Sequence, residues 1–452
     1  MISGSKTIED AVLKKITPTK QQRTKIQQAI RSLESKVTKE IAKTALPISI
    51  ELVGSTAKDT YIRTAVDIDL FLVFPYTVSR EQLQDKGLSI GRALLTHQEE
   101  CFAEHPYVRG IFHGFKTEIV PCYKIESASQ KLSAVDRTPL HTDYVRRHLR
   151  ESQKKEVRLF KQFLRGIGCY GAEAEIEGFS GYLCEILIIK YGTFQRLVLA
   201  AQDWRRGEAL TITKTPIHRF DTPLVFIDPV DPERNVASAL SNEKFQLFRT
   251  ACKAYAKEPR RTFFFPHPLS PWPLRKIKEE IGAEGYVGVK LPKPDIIPEN
   301  LYPQVRKAVR SITDLCTYHG FQILDTHYYV DTTAVFILLH PRSMTLPETV
   351  VHAGPPVTLK KNIDEFLEKW KHDPRVRKQP YQHNDRWYVD IEREYTDIRD
   401  LLQKRLKDLS LGKHIDPLIH KGYSIMTQGD LLSNKFRVFW TTVLDPRTSW
   451  ER

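Results

Sequence analysis

Apolar and polar positions in the first 125 residues switch between a helical period and a strand period. Over residues 20–46 apolar side chains recur every three or four positions between charged and amide residues, which predicts one amphipathic helix ending at Pro47. These apolar residues are Ile26, Ile30, Leu33, Val37 and Ile41. Short apolar runs then predict strands over 48–53, 66–74 and 117–120, with helices near Thr56 and over 82–104. The order predicts a small α/β unit.

The rest of the chain divides at a change of pattern. Residues 143–166 and 180–200 have helical periods, whereas residues 258–273 contain too much proline for a helix or an inner strand. Residues 285–340 then read as strand, helix (303–319), strand (321–330) and strand (333–339), the order of RRM-like or ferredoxin-like units. Shorter segments predict a helix over 362–371, a strand over 386–393 and a helix over 395–408.

These elements predict an α+β protein with several domains. We expect an α/β domain over 1–142, a mainly helical domain over 143–257, and α+β domains with a tail over 258–452. A chain of 452 residues is long enough for about three domains.

The charge balance favours a polyanionic partner. Lys and Arg number 69 against 55 Asp and Glu, a formal net charge of +14, which indicates nucleic acid ahead of a membrane. Five basic pairs are candidates for following RNA phosphates, although each also fits an ordinary solvated face. They are Arg146-Arg147, Lys154-Lys155, Arg205-Arg206, Arg260-Arg261 and Lys360-Lys361.

The cysteine pattern and the hydropathy bear on the cellular compartment. The six cysteines are scattered and form no CxxC pair, which argues against a zinc site or a disulfide framework and fits a reducing cytosol. No signal peptide is evident, and no apolar run of about 18 residues predicts a membrane span. We therefore expect a cytoplasmic protein without membrane association.

The candidate chemistry lies at Gly54-Ser55, Asp67, Asp69 and Glu118. Because strand side chains alternate, Asp67 and Asp69 point to one face, and their repulsion in an apolar strand calls for a cation such as Mg²⁺. Glu118, in a second short strand, completes a three-carboxylate cluster. The Gly-Ser turn lets backbone N–H groups and a hydroxyl approach a phosphate.

Together these features suit in-line phosphoryl transfer assisted by two metal ions. Each feature also has an ordinary interpretation: a Gly-Ser pair is commonly a plain turn, Asp-x-Asp a surface feature, and a glutamate an exposed strand residue. Their conjunction and order are similar to the DNA polymerase β-type nucleotidyltransferase superfamily, which implies a polymerase β-like head.

A longer series of segments resembles the archaeal, class I, CCA-adding enzymes, mostly within the first 300 residues. The segments are VGSTAKDTYIRTAVDIDLFLVFP (53–75), TEIVPCYKI (117–125), TPLHTDYV (138–145), VRLFKQFLRGIGCYGAE (157–173), GFSGYLCEILIIKYG (178–192), DPVDPERNVA (228–237) and KPDIIPENLYPQ (293–304).

The resemblance implies addition of C, C and A to the 3′ end of tRNA from CTP and ATP, without a nucleic-acid template, and a homodimer. It implies that Asp67, Asp69 and Glu118 hold Mg²⁺, and that Ser55 and Lys58 contact the triphosphate. It further implies a nucleotide pocket lined by four residues. They are His141, Lys161, Tyr170 and Arg234.

Without the resemblance, three of the pocket residues have simpler interpretations. His141 would be a loop histidine with its hydrogen bonds satisfied, Tyr170 a core aromatic residue and Lys161 a solvated helix lysine. Two positions depart from the family pattern, since Lys58 stands where Arg is common and Glu118 where Asp is common. The alternatives are a poly(A) polymerase or oligoadenylate synthetase, and a catalytically silent tRNA-binding protein.

Overall fold

A computed structural model describes residues 2, 4–102, 106–213, 220–282 and 285–452. The chain forms two compact units, one of residues 1–268 with 447–452 and the other of residues 269–446. The domain limits expected from the sequence stay a prediction. Within the described part of the chain, no helix has both the length and the apolar character needed to cross a membrane.

The first unit begins with two helices and a five-stranded mixed sheet. Its elements are α1 (Ser5–Ile16), α2 (Lys20–Ala42), β1 (Ser49–Val53), α3 (Gly54–Lys58), β2 (Asp67–Phe74), α4 (Arg80–Leu94), β3 (Thr96–Phe102), β4 (Pro106–Phe112) and β5 (Phe115–Tyr123). The strand order is β1-β2-β5-β4-β3, with β2 and β5 parallel and the other pairs antiparallel. The predicted α/β unit is confirmed.

One face of this sheet is a hydrophobic layer beneath α2 and α4. Ile68, Leu70 and Leu72 of β2 pack there with Leu33 of α2 and Leu83 of α4. The alternate residues of β2 therefore point to the opposite face, which carries Asp67 and Asp69. The alternation that predicted a core side and an acidic side of this strand is confirmed.

The predicted helix over 82–104 is wrong in its second half. The helix ends at Leu94, and Thr96–Phe102 form β3; the last two residues of the predicted helix, 103 and 104, lie outside the described residues. Within the described ranges β3 pairs only with β4 and is an edge strand. Its outer residues are polar, and the sequence THQEECF has no strand-like apolar alternation.

The remainder of the first unit is mainly helical, as predicted. Its elements are α5 (Thr138–His148), α6 (Lys154–Gly166), α7 (Gly181–Tyr191), α8 (Phe194–Ala201), β6 (Glu208–Leu210), β7 (Leu224–Phe226) and α9 (Asn242–Lys257). The single helix predicted over 180–200 is two helices, because Gly192 has a φ of +85° and Thr193 caps α8 through its side chain. Aromatic residues dominate this core, and the tail residue Trp450 stacks on Phe263 with ring centroids 5.2 Å apart.

The second unit contains a four-stranded antiparallel sheet with a ferredoxin-like connection. Its elements are α10 (Leu274–Ile281), β8 (Val287–Pro292), α11 (Pro298–Tyr318), β9 (Ile323–Val330), β10 (Ala334–Pro341), β11 (Thr349–Pro356), α12 (Lys360–Lys371), β12 (Val376–His383), β13 (Arg386–Glu392), α13 (Ile398–Arg405), α14 (Asp416–Lys421), β14 (Ser424–Met426), α15 (Gln428–Leu431) and α16 (Arg437–Leu444). The order β14-β8-β10-β9 confirms the predicted ferredoxin-like topology.

Helices cover both faces of this sheet. Val289 and Ile337 face α11 and α13, whereas Phe336 and Leu338 face α10 and α16, where Trp440 is buried. Strands β11, β13 and β12 form a separate three-stranded sheet inserted after β10, against which α12 packs. β11 and β12 were missed in the sequence because most of their residues are exposed or half-buried, without a continuous apolar side.

Candidate active site

The two central strands of the first sheet bring the predicted carboxylates to one face. In the parallel pairing of β2 with β5, Asp69 lies opposite Glu118 and Asp67 opposite Lys116. Paired residues of neighbouring strands point the same way, so all three carboxylates emerge on the face away from α2 and α4. Ile68 and Thr117, between them in sequence, are buried on the other side.

Burial and the neighbouring acids both act on the carboxyl group of Asp69. Burial raises the pKa of Asp69 to about 7, with further contributions from the negative charges of Glu118 and Asp67. A divalent cation would remove this repulsion, and carboxylate oxygens are the hard ligands that Mg²⁺ prefers. The residues at this position therefore fit a metal ion in their chemistry.

The carboxylates are not drawn together into a finished metal cage. Glu118 Oε1 accepts a hydrogen bond from Arg109 Nε of β4 at 2.7 Å. Among the described residues, no three His, Cys, Asp or Glu side chains converge closely enough to hold an ion as they stand. An ion shared by Asp69 and Glu118 would have to compete with Arg109 for the Glu118 carboxylate.

The Gly-Ser turn lies directly against Asp69. Gly54 begins α3 with a φ of +71°, and a Cβ atom built on it would come within 1.9 Å of Asp69 Oδ2. Glycine is therefore required twice, for the backbone angle and for the space that the carboxylate fills. The next residue, Ser55, is half-buried in the first turn of α3, at the same edge of the sheet.

Two predicted nucleotide-binding lysines meet at a buried glutamate. Lys58 Nζ donates to Glu185 Oε2 at 2.6 Å, and Lys161 Nζ lies 3.3 Å from Glu185 Oε1. Thr60 Oγ1 also donates to Glu185 Oε1, at 2.5 Å. Lys161 is only 2% exposed, so its interpretation as a solvated helix lysine is wrong.

Tyr170 belongs to the same neighbourhood as Lys161. A Cβ atom on Gly181, the first residue of α7, would lie 3.3 Å from the Tyr170 hydroxyl and 3.9 Å from Lys161 Nζ. The Tyr170 ring is half-buried, with the Arg165 guanidinium 4.8 Å from its centroid. The residue is therefore more accessible than an ordinary core aromatic residue.

His141 and Arg234 converge on a second buried acid, Asp228. His141 Nε2 lies 2.9 Å from Asp228 Oδ2, Arg234 Nη1 lies 2.8 Å from the same oxygen, and the Tyr182 hydroxyl donates to Oδ1 at 3.0 Å. Burial alone would raise the pKa of Asp228, but its hydrogen bonds with His141, Val230 N–H and Arg234 bring it down to about 2. Burial lowers the pKa of His141, whereas its hydrogen bond with Asp228 and the charge of Asp228 act in the opposite direction.

One helix connects these groups. In the first turns of α7, Gly181 lies beside Tyr170, and Glu185 pairs with the two lysines. Between them Tyr182 donates a hydrogen bond to Asp228, and its ring stacks on His141 with centroids 4.1 Å apart. Lys58 in turn lowers the pKa of Asp69 through its charge, although burial and the acids outweigh it. The contacts of these residues therefore bring Lys58, Lys161, Tyr170 and His141 to the first turns of α7.

Sequence reasoning missed three of the residues that organise this region, Tyr182, Glu185 and Asp228. A signal was present for Glu185, a single acid within the apolar run GYLCEILIIKY, because a buried charge requires a partner. Asp228 opens the segment DPVDPERNVA, whose Arg234 was assigned to the pocket. The predicted basic pairs lie at exposed or half-buried positions, and some are partnered, as Arg147 is by Asp143 and Arg206 by Asp221.

Three family models match successive parts of the chain. They are a nucleotidyltransferase domain (34–141), the second domain of tRNA nucleotidyltransferase (155–265) and the C-terminal domain of CCA-adding enzyme (284–428). With the acidic face of β2 and β5, these matches define a tRNA nucleotidyltransferase with a polymerase β-like head, and the predicted fold class is confirmed.

Relatives that are similar over nearly the full chain narrow the class from tRNA nucleotidyltransferases to CCA-adding enzymes. A CCA-adding enzyme of Methanosarcina barkeri is 36% identical over 438 residues, covering 95% of this chain and 96% of the relative. One of Halobacterium salinarum is 32% identical and covers 95% of each chain. A solved structure of Escherichia coli MS115-1 CdnC aligns at 15% identity with a TM-score of 0.45, over 58% of this chain and 95% of that one. The chain belongs to the family of archaeal CCA-adding enzymes, which confirms the resemblance seen in the sequence and extends it into the last third.

Proposed function

We propose that this chain adds C, C and A to the 3′ end of tRNA from CTP and ATP, with release of pyrophosphate and without a nucleic-acid template. The observation that carries the proposal is the pairing of Asp69 with Glu118 on one face of the sheet, in a chain related over nearly its full length to CCA-adding enzymes. The net charge of +14 suits a tRNA substrate.

Asp67, Asp69 and Glu118 are the proposed holders of Mg²⁺. The bound ion supplies positive charge for activating the terminal hydroxyl of the RNA and for stabilising the leaving pyrophosphate. Asp69 and Glu118 are paired in register, and Asp67, the first residue of β2, lies on the same face. The longer Glu118 replaces the family's common Asp, and its ion pair with Arg109 shows that it reaches sideways along the sheet.

The remaining residues are proposed to bind and orient the nucleotide. Lys58 and Lys161 offer ammonium groups to the triphosphate, beside the Gly54-Ser55 turn. Arg234, fixed by Asp228, presents donors of set orientation and keeps about a third of its side-chain surface exposed. His141, fixed by the same acid, presents its second ring nitrogen. The Tyr170 ring and hydroxyl suit contact with the sugar or base.

The test uses a tRNA transcript that lacks its terminal CCA, with Mg²⁺ and each labelled nucleotide offered separately and together. We expect CTP alone to add two residues, and CTP with ATP to add CCA and then stop. Continued addition of A would contradict the proposal in favour of a poly(A) polymerase or oligoadenylate synthetase. Binding of tRNA without any incorporation would favour a silent tRNA-binding protein instead.

A variant pair separates chemistry from RNA binding. Asp69→Ala should abolish incorporation and leave the tRNA dissociation constant nearly unchanged, because the carboxylate serves the metal ion. Asp203→Ala, at an exposed aspartate that follows α8, is the matched control and should behave as wild type. Loss of tRNA binding with retained chemistry in Asp69→Ala would contradict the assigned role.

Cytoplasmic location and a homodimer are further parts of the proposal. The first follows from the tRNA substrate and from six free cysteines, all buried. The second is tested by sedimentation equilibrium of the purified chain, where a mass of about twice 52.4 kDa is expected and the mass of a single chain would contradict it.

A further inference from the structure

Glu185 stands in surroundings that otherwise exclude charge. It lies in the middle of α7 with Leu183, Cys184, Ile186 and Leu187, all of them at most 1% exposed. The Glu185 side chain is itself 1% exposed. An ionised carboxylate is stable in such a position only when cations and hydrogen bonds replace its water.

Its partners come from two separate parts of the first unit. Lys58 and Thr60 belong to the end of α3 and the turn after it, whereas Lys161 lies on α6. Lys161 Nζ also contacts the Thr60 hydroxyl at 3.2 Å and the Thr60 carbonyl at 3.3 Å. The Glu185 carboxylate thus connects the turn after α3 to α6 and α7, and it fixes the separation of the two ammonium groups.

The charges in this cluster do not balance. Two ammonium groups, with side chains 7% and 3% exposed, share a single carboxylate and a neutral hydroxyl. Within the cluster one positive charge therefore exceeds the negative charge, and the amino end of α7 adds a partial positive charge nearby. The charge of Lys58 also acts on Asp69, an acid that the proposed function assigns to the metal ion. A buried excess of positive charge requires an anion, and a polyphosphate brings one with several acceptor oxygens.

We propose that Glu185 is a positioning residue for the nucleoside triphosphate: it holds Lys58 and Lys161 as a fixed pair and leaves them one positive charge in excess for the polyphosphate. The proposal rests on the proposed function, since it takes the triphosphate as the anion. Glu185 does not contact the nucleotide, because its oxygens are closed off by the lysines and Thr60.

The side chain has to be a glutamate for this role. Glutamine keeps the shape but loses the charge, and a buried lysine without its counter-ion tends to release its proton or to turn away. Aspartate keeps the charge but is one methylene shorter, so it fails to reach both lysines at once. The two substitutions therefore separate charge from reach.

The experiment measures steady-state addition of CTP and ATP to truncated tRNA, together with calorimetric binding of inorganic tripolyphosphate to the full chain. Glu185→Gln should raise the KM for both nucleotides by about tenfold to a hundredfold, and weaken tripolyphosphate binding by a similar factor. The kcat should stay within about threefold, because the change lies in binding common to ground and transition states. The tRNA dissociation constant should not change.

The matched control is Glu9→Gln. Glu9 is a buried acid of the same unit, 8% exposed, that accepts hydrogen bonds from the neutral side chains of Gln195 and Tyr255. It should leave both the KM and tripolyphosphate binding unchanged. In the double variant Lys161→Met/Glu185→Gln, the combined rise in KM should be smaller than the product of the single effects, because the two residues act as one pair.

A folded Glu185→Gln with wild-type KM and wild-type tripolyphosphate binding overturns the proposal, as does a loss confined to kcat. If Glu185→Gln does not fold, Glu185→Asp decides by the same two measurements. Tripolyphosphate binding needs no turnover, so a failure of the proposed function can be distinguished from a failure of the role assigned to Glu185. A wild type that binds tripolyphosphate but adds no nucleotide contradicts the proposed function, whereas the comparison with Glu185→Gln still decides the role of Glu185.

Discussion

Gly54 offers a sharp perturbation of the acidic face, because one methyl group there displaces Asp69. An added Cβ atom would lie 1.9 Å from Asp69 Oδ2 and 2.9 Å from its Cγ. The carboxylate oxygen must therefore move by about 1.5 Å to reach ordinary contact distance. A misplacement of about 1 Å at a reacting group costs roughly a hundredfold in rate. The φ of +71° adds about 1 kcal/mol of backbone strain for alanine.

Gly207→Ala is the matched control for this strain. Gly207 has a φ of +82°, and a Cβ atom there would meet nothing within 4 Å. Both variants should lose about 1–2 kcal/mol of unfolding free energy in urea titrations. Only Gly54→Ala should lose about a hundredfold in kcat/KM for CTP addition. If the kcat/KM of Gly54→Ala stays within threefold of the control, Asp69 has no catalytic need of its present position.

Three further predictions follow from burial and charge. Asp228→Asn should raise the KM for both nucleotides by about tenfold, because His141 and Arg234 lose their common anchor. In wild type the lowered pKa of Asp228 adds about 2 kcal/mol to the free energy of unfolding above about pH 4, the unfolded pKa of an aspartate, and this contribution is lost as pH falls toward 2. Asp228→Asn should lack this pH-dependent contribution; equal acid denaturation curves for the two proteins would contradict this. Trp450→Ala should reduce the unfolding free energy by about 3–5 kcal/mol, measured in urea, because its ring is 2% exposed and stacks on Phe263; an unchanged midpoint would contradict it. The tRNA association constant should fall steeply and linearly with salt on logarithmic axes in filter-binding assays, and a flat response would exclude binding by basic side chains.

The elements that the sequence predicted well are those with strong periodicity and one buried side. The alternation in Asp67–Phe74 places its two acids on the face away from the core, and the apolar period of α2 is equally clear. The edge strand β3 and the inserted strands β11 and β12 lack such a side, so their local pattern does not distinguish them from helix or loop. Tertiary pairing rather than local preference forms these strands.

The candidate site also has a part that could be predicted from the sequence and a part that could not. Its acids and its Gly-Ser turn are recognisable from residue type and spacing, whereas their contacts depend on elements that are distant in the chain. The register of Asp69 with Glu118 depends on which strands become neighbours, and the approach of Lys58 to Glu185 brings together residues 127 positions apart. The ion pair of Glu118 with Arg109 was equally inaccessible, because β4 itself was not predicted.

The most direct measurement is crystallographic: anomalous diffraction from the full chain soaked with Mn²⁺ and CTP, with Mn²⁺ standing in for Mg²⁺. We expect ion peaks within about 2.2 Å of carboxylate oxygens of Asp67 and Asp69, with Glu118 turned from Arg109 toward the ions. Peaks elsewhere, or a nucleotide bound with Glu118 still on Arg109 and no ion beside Asp69, would contradict the assignment of this acidic face as the catalytic centre.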